Sequence, residues 1–137
     1  MVDAMDISTL GDLIDENCVF HSPIVFKPQE GKRLTVMYLT AAFQMFKEAE
    51  SFTYIKEIVQ DQNAMLEFNA KVDGILVDGI DLITWNEKGK IIEFKVMVRP
   101  LKAIDLIKAK MLEQLSGMST FDKLKLKGGV IWDKFKS

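Results

Sequence analysis

Residues 76–101 read LVDGIDLITWNEKGKIIEFKVMVRPL, and the order of apolar and turn residues in this stretch decides the fold. Val77 to Trp85 reads as a strand, apolar from Ile80 onward apart from Asp81 and Thr84. Asn86-Glu87-Lys88-Gly89 reads as a hairpin turn with a glycine available for positive φ. Ile91 to Val98 is the returning strand, with Phe94, Val96 and Val98 opposed by Glu93, Lys95 and Met97. Arg99-Pro100 ends it. One carboxylate, Asp81, lies among Ile80, Leu82 and Ile83. Burying a carboxylate is costly, so its place there points to a pocket.

Working outward, Met65 to Val72 predicts a preceding strand with Leu66, Phe68, Ala70 and Val72 on one face. A strand from Phe52 rests on β-propensity alone. Phe52, Tyr54, Lys56 and Ile58 would share one face and Thr53, Ile55, Glu57 and Val59 the other. Neither set is cleanly apolar, so its orientation is open. Upstream, Leu34 to Ala49 has apolar residues at helical spacing (Leu39, Phe43, Phe46, with Tyr38, Ala41, Ala42 and Met45) over a wide arc. Residues 27–32 are a loop, and Lys32 and Arg33 point into solvent at the helix start. Cys18 to His21 reads as a brief strand stopped by Ser22-Pro23, and Ile7 to Ile14 as a short helix. Downstream, Pro100 starts a helix over Leu101 to Leu115 that Gly117 closes, with Leu101, Ile104, Met111 and Leu115 on one side. Phe121 to Ser137 is lysine-rich. Its Trp132 and Phe135 are candidates to plug an open cavity or to swap onto a partner. The element order is α+β, a curved antiparallel sheet with helices over one face, because no βαβ alternation occurs.

The chain has 137 residues, enough for one domain with one core, placed at about residues 6–115 with an extension over 116–137. A net charge of -2 offers no positive field to draw nucleic acid. The single cysteine, Cys18, cannot form an internal disulfide. The acidic N-terminus is not built like a signal peptide, and no apolar run reaches the ~20 residues that span a bilayer. The expectation is a cytoplasmic protein that contacts neither membrane nor nucleic acid.

CVFHSPIVFKPQEGKRLTVMYL (18–39) and GIDLITWNEKGKIIEFKVMVRPL (79–101) together resemble the superfamily of nuclear transport factor 2, ketosteroid isomerase and SnoaL-like polyketide cyclases. The resemblance covers about residues 6–115. It implies a cone-shaped α+β barrel of the cystatin-like type, with helices packed on the concave side of the sheet, commonly dimeric. It also implies a cofactor-independent chemistry. Asp81 falls where ketosteroid isomerases carry the oxyanion-hole aspartic acid. There, that residue stays protonated in an apolar site and donates a hydrogen bond to the developing enolate. The resemblance departs at two positions. Ser22 stands before Pro23 where those enzymes have their general-base aspartate, and the first helix has no tyrosine. Steroid isomerisation therefore does not carry over to this chain.

On the period of a strand, Asp81, Ile83 and Trp85 share one face. If that face lines the cone, Asp81 sits among Leu66, Phe68, Phe94 and Val96, where an apolar setting raises its pKa and makes it a candidate acid. Alternatively it is a structural carboxylate paired with Arg99, Tyr38 or a backbone amide. The expected ligand is a small hydrophobic molecule. Phe20, Phe43, Phe68, Trp85 and Phe94 would line an apolar cavity with Leu66, Ile83 and Val96, or would simply fill the core. Phe26 and Phe46 belong to the same aromatic set. Ser22, Tyr38 and Arg99 are the polar assistants, and Arg99 could equally hold an anionic substrate group or a carboxylate of the protein. A Cys18–His21 dyad is disfavoured, because residues three apart in a strand point to opposite faces. A metal site is poorly supported. One His and one Cys cannot build a soft site, and Asp73 and Asp78 flank a turn beside Asp81. On the outer face, Ile80, Leu82, Thr84 and Met97 mix apolar with small polar groups, which suits a second copy of the chain. The rival to an enzyme is a non-catalytic binding or dimeric assembly module with a side-chain-filled cone.

Overall fold

The computed structural model describes residues 7–116. The lysine-rich extension, with Trp132 and Phe135, lies outside the described residues. In chain order the elements are α1 (Ile7–Leu13), β1 (Ile14–His21), β2 (Gln29–Glu30), α2 (Lys32–Lys47), β3 (Ser51–Gln60), β4 (Asn63–Val72), β5 (Ile75–Trp85), β6 (Ile91–Arg99) and α3 (Leu101–Ser116).

The β5–β6 hairpin closes at Asn86, whose side-chain oxygen accepts the backbone N–H groups of Lys88 and Lys90 at 2.9 and 3.0 Å. Gly89 supplies a φ of 77° there. The β4–β5 connection is the two residues Asp73-Gly74, since Val72 and Ile75 are the last paired residues. Both central residues are left-handed, at φ 49° and 80°, the geometry whose twist matches that of the flanking strands. Short turns thus line up β3, β4, β5 and β6 as antiparallel neighbours.

The sheet has six strands in the order β2-β1-β6-β5-β4-β3. Two features differ from the sequence expectation. The sheet is mixed, because β1 runs parallel to β6, with Phe20 opposite Phe94 and His21 opposite Lys95. It is also open, ending at β2 and β3, and does not close into a barrel. The cause is non-local. A parallel pair needs a long crossover, and here everything from α2 through β5 forms it. The two-residue β2 then caps the β1 edge and leaves β3 as the other edge.

One face of the sheet is buried under α2 and α3. Every second residue of β4 (Leu66, Phe68, Ala70, Val72) and of β5 (Val77, Gly79, Asp81, Ile83) points into it. From α2 come Tyr38, Leu39, Ala41 and Met45, and from α3 Ala103, Ile107, Met111 and Leu115. The buried stripe of α3 therefore differs from the expected one at its start: Leu101 is 71% exposed. The helix begins at the sheet's rim, so its first residue has nothing to pack on. At the far end, Phe46, Phe52 and Phe68 form an aromatic cluster with centroids 5.0–5.2 Å apart. In β3 a bulge follows Tyr54, so Tyr54 opposes Phe68 and Glu57, not Lys56 or Ile58, opposes Leu66. The extra residue swaps the faces midway. That is why neither alternating set looked apolar.

Candidate functional site

The alternation of β5 turns Asp81 inward. It opposes Leu66 on β4 and Val96 on β6. It is 8% exposed. Among the described residues its carboxyl has no hydrogen-bond or ion-pair partner. Burial alone therefore acts on it and pushes its pKa up to about 7. Near neutral pH a substantial fraction carries a proton, so the group can donate as well as accept.

Tyr38 reaches the same layer from α2. It is buried and stacks on Phe20, with ring centroids 5.3 Å apart. Burial pushes its phenol well above the ordinary range, which keeps it a proton-bearing donor. Between the helices and the sheet lies a hollow of about 40 Å³. Phe20, Tyr38, Met45, Val96, Ile107 and Met111 are among the residues that line it. Such a space admits a few waters at most, where ligand pockets run to ~300–1,000 Å³. Asp81 stands beside Val96 but does not itself line the hollow.

A larger cleft of about 480 Å³ opens at the sheet's rim. It exists because Ser22-Pro23 halts β1 while β6 runs on to Arg99. The Ser22 side-chain oxygen accepts the N–H of Ile24 at 3.0 Å, which turns the chain away from the sheet. Ser22, Pro23, Val96 and Val98 line both the cleft and the hollow, so a single layer of residues separates them.

Of the residues picked from the sequence, the structure brings Phe20, Ser22, Tyr38, Phe46 and Val96 to the hollow, with Asp81 beside Val96. Leu66, Phe68, Ile83 and Phe94 are buried in the core on the same face but do not line it. Phe43 and Trp85 are partly buried and pack against that core. Arg99 is not brought in. Its guanidinium donates to Asp78 at 3.1 Å on the outer side of the sheet and is largely exposed. Arg99 therefore does not neutralise Asp81 and does not line the hollow. The sequence reading missed Ile24, Ile107 and Met111 as lining residues. For the two on α3 helical spacing could flag burial, but nothing in the spacing says which buried residues border a void.

Cys18 and His21 do not meet. Cys18 is fully buried and burial pushes its thiol up, away from the reactive thiolate. His21 lies at the rim with its Nε2 3.0 Å from a Glu93 carboxylate oxygen. Asp73 pairs with Lys110 at 2.8 Å. Among the described residues, no three His, Cys, Asp or Glu side chains gather as a metal site would require. No helix among them is long and apolar enough to cross a membrane.

No family model matches the chain, and no curated protein matches it. Solved structures do. A steroid delta-isomerase from Pseudomonas aeruginosa is 31% identical, with 81% of this chain and 80% of that one covered and a TM-score of 0.76. An uncharacterised bacterial protein with a cystatin-like fold from Silicibacter pomeroyi is 30% identical, with 86% and 82% covered and a TM-score of 0.76. A SnoaL-like polyketide cyclase, so described for Jannaschia sp., shares the fold at 16% identity and a TM-score of 0.56. The chain belongs to the nuclear transport factor 2-like superfamily, the group of cystatin-like α+β proteins that includes steroid isomerase-like and SnoaL-like members.

Proposed function

We propose that this protein binds a small hydrophobic molecule between α2, α3 and the sheet, and acts on it as a cofactor-independent isomerase, lyase or cyclase with Asp81 as the acid. The observation that carries this reading is the buried carboxyl of Asp81, unpaired among the described residues and pushed up to about 7. A structural carboxylate in that position would be expected to have a cation or amide beside it. A proton donor facing a developing oxyanion needs the opposite, a dry place with no cation. Tyr38, a proton-bearing donor on the wall of the hollow behind which Asp81 stands, supports the reading, as does the identity shared with a steroid delta-isomerase. Ser22 in place of a base keeps the substrate class open, so steroids are one class among several.

A ligand of ordinary size enters only if the hollow widens. Met45 and Met111 on its wall are unbranched and repack at low cost. A screen of steroids, polyketides and small lactones by thermal shift should find a ligand that raises the melting temperature. Its affinity should drop by up to about tenfold in Asp81→Asn, because an amide N–H is a weaker donor than a carboxylic O–H. Unchanged affinity in the variant would reject Asp81 as the acid.

The small volume of the hollow favours a second reading, an assembly module whose cone is filled by its own side chains. Under either reading we propose a homodimer through the outer face of the sheet. Met97 is 47% exposed there, and Ile58 packs opposite Met65 on the same face, three strands away. Light scattering should then give twice the 15.6 kDa chain mass, and a species of the chain mass alone would reject the dimer. A cytoplasmic location belongs to the same reading and is supported by the lone cysteine.

A further inference from the structure

We propose that residues 121–127 of this chain add a seventh strand to the sheet, along the open edge of β3. β3 is ten residues long, and among the described residues nothing pairs with its far side. Its residues from Ile55 to Gln60 are all exposed. Ile55, the extra residue of the bulge, is 50% exposed, and Val59, which opposes Ala64 on the inner side, is 56% exposed. An edge of that length, with apolar side chains beside a row of N–H and C=O groups, is a template for a further strand. That row of backbone groups is distinct from the outer face assigned to a second copy.

The course of α3 brings the segment there. The helix begins beyond the end of β6, and by Lys110 it has reached Asp73 in the β4–β5 turn, at 2.8 Å. The N–H of Gly74 in the same turn donates at 2.8 Å to Glu50, the residue just before β3. The chain therefore leaves α3 at the end of the sheet where β3 starts, and it runs on to Ser137. Extended at ~3.3 Å per residue, that length is about twice a strand of ten residues. Residues 117–120 turn the corner and 121–127 lie along the edge, parallel to β3. A parallel pair needs a long crossover, and β4 through α3 supplies it.

The segment reads Phe121-Asp122-Lys123-Leu124-Lys125-Leu126-Lys127. It alternates leucine with lysine, holds no proline or glycine, and stops at Gly128-Gly129. Residues 117–137 carry five lysines and two aspartates, while the whole chain is net negative at -2, so the tail and the rest of the chain have opposite charge. Once docked, the outermost strand carries Lys123, Lys125 and Lys127 in place of Ile55 and Val59. Lysines at an edge discourage any further pairing. A second copy of β3 is the rival occupant. The segment outcompetes it, because a short tether holds it at an effective concentration in the mM range.

The test is nuclear magnetic resonance on the full chain, with the double variant Leu124→Pro/Lys125→Pro beside the parent. Adjacent prolines remove the N–H donors of both strand phases from the segment and leave residues 7–116 unaltered. The parent should show interstrand Overhauser contacts between residues 52–60 and 121–127. Its β3 amides that do not bond to β4 should exchange with solvent at least about tenfold more slowly than in the variant. In a sample mixing labelled and unlabelled chains, spectra that select contacts between chains should contain none of these contacts. Equal exchange in parent and variant, contacts of 121–127 with another element in place of β3, or β3 contacts that arise between chains would each overturn the proposal.

Discussion

Asp81→Asn should raise the unfolding free energy at pH 8 by up to about 4 kcal/mol. The sign follows from the two pKa values. In the folded protein the carboxyl titrates at about 7. In the unfolded chain it titrates at about 3.9. Below about pH 4 both states hold the proton and the residue costs nothing in charge. Between about 4 and 7 the unfolded chain has released its proton while the folded one keeps it, so stability falls by about 1.4 kcal/mol per pH unit. Above about 7 both are ionised and the full burial penalty stays in force. Asparagine has nearly the shape of the protonated acid and does not titrate. The variant should therefore match the parent at pH 4 and exceed it progressively towards pH 8. Urea titrations at pH 4, 6 and 8 read this directly. Parallel curves for the two proteins would show that the carboxyl is not desolvated as its burial implies. A stabilising change that also weakens ligand binding is the mark of a residue kept for function at a cost in stability.

The second large effect belongs to a cross-strand pair in the same layer. Phe68 opposes Gly79, and its ring lies where a glycine side chain would be. A Cβ added at Gly79 would come within 2.7 and 2.8 Å of the two Cε atoms of that ring. Phe68 is buried and also meets Phe46 and Phe52. Phe68→Ala should cost about 3–5 kcal/mol, for lost burial and the void left behind. Gly79→Ala should cost about 1–3 kcal/mol, because the ring must shift within a packed cluster. The double variant should cost less than the sum, since the new methyl enters the space that the ring vacates. Denaturant unfolding of all four proteins gives the coupling. Strict additivity would mean that ring and glycine do not share that space.

Much of this architecture is written in local signals. The β5–β6 hairpin is legible from Asn86 and Gly89, which meet the turn's demand for hydrogen bonds and positive φ within five residues. The inward direction of Asp81 follows from its alternation with Val77, Gly79 and Ile83. Helical spacing exposes the buried faces of α2 and α3, except at Leu101 and Ile104 in the first turn of α3, where Ala103 and Ile107 carry the buried stripe instead. The β3 bulge was hidden because an inserted residue breaks the period by which faces are read.

The candidate site was legible in part. Phe20, Ser22, Tyr38 and Val96 do meet around one hollow, and Asp81 stands behind it. Arg99, expected as a polar assistant or as the partner of Asp81, alternates with Val98 onto the outer face, where it opposes and binds Asp78.

By itself the sequence determined the main helices, the β4–β6 strands and the hairpin turn between β5 and β6, the buried side of each central strand and the presence of an acid on that side, but not β2, which lies in the stretch read as a loop, nor the first half of β1. The features it determined depend on residues a few positions apart, whose spacing alone selects the backbone geometry. Only the tertiary structure decided that β1 runs parallel to β6, that the sheet stays open, that Arg99 belongs to Asp78, and that the inner hollow is small while the rim cleft is wide. Each of these is set by contacts between segments far apart in the chain, where the winning arrangement is the one that fills space best, and no short-range pattern records it.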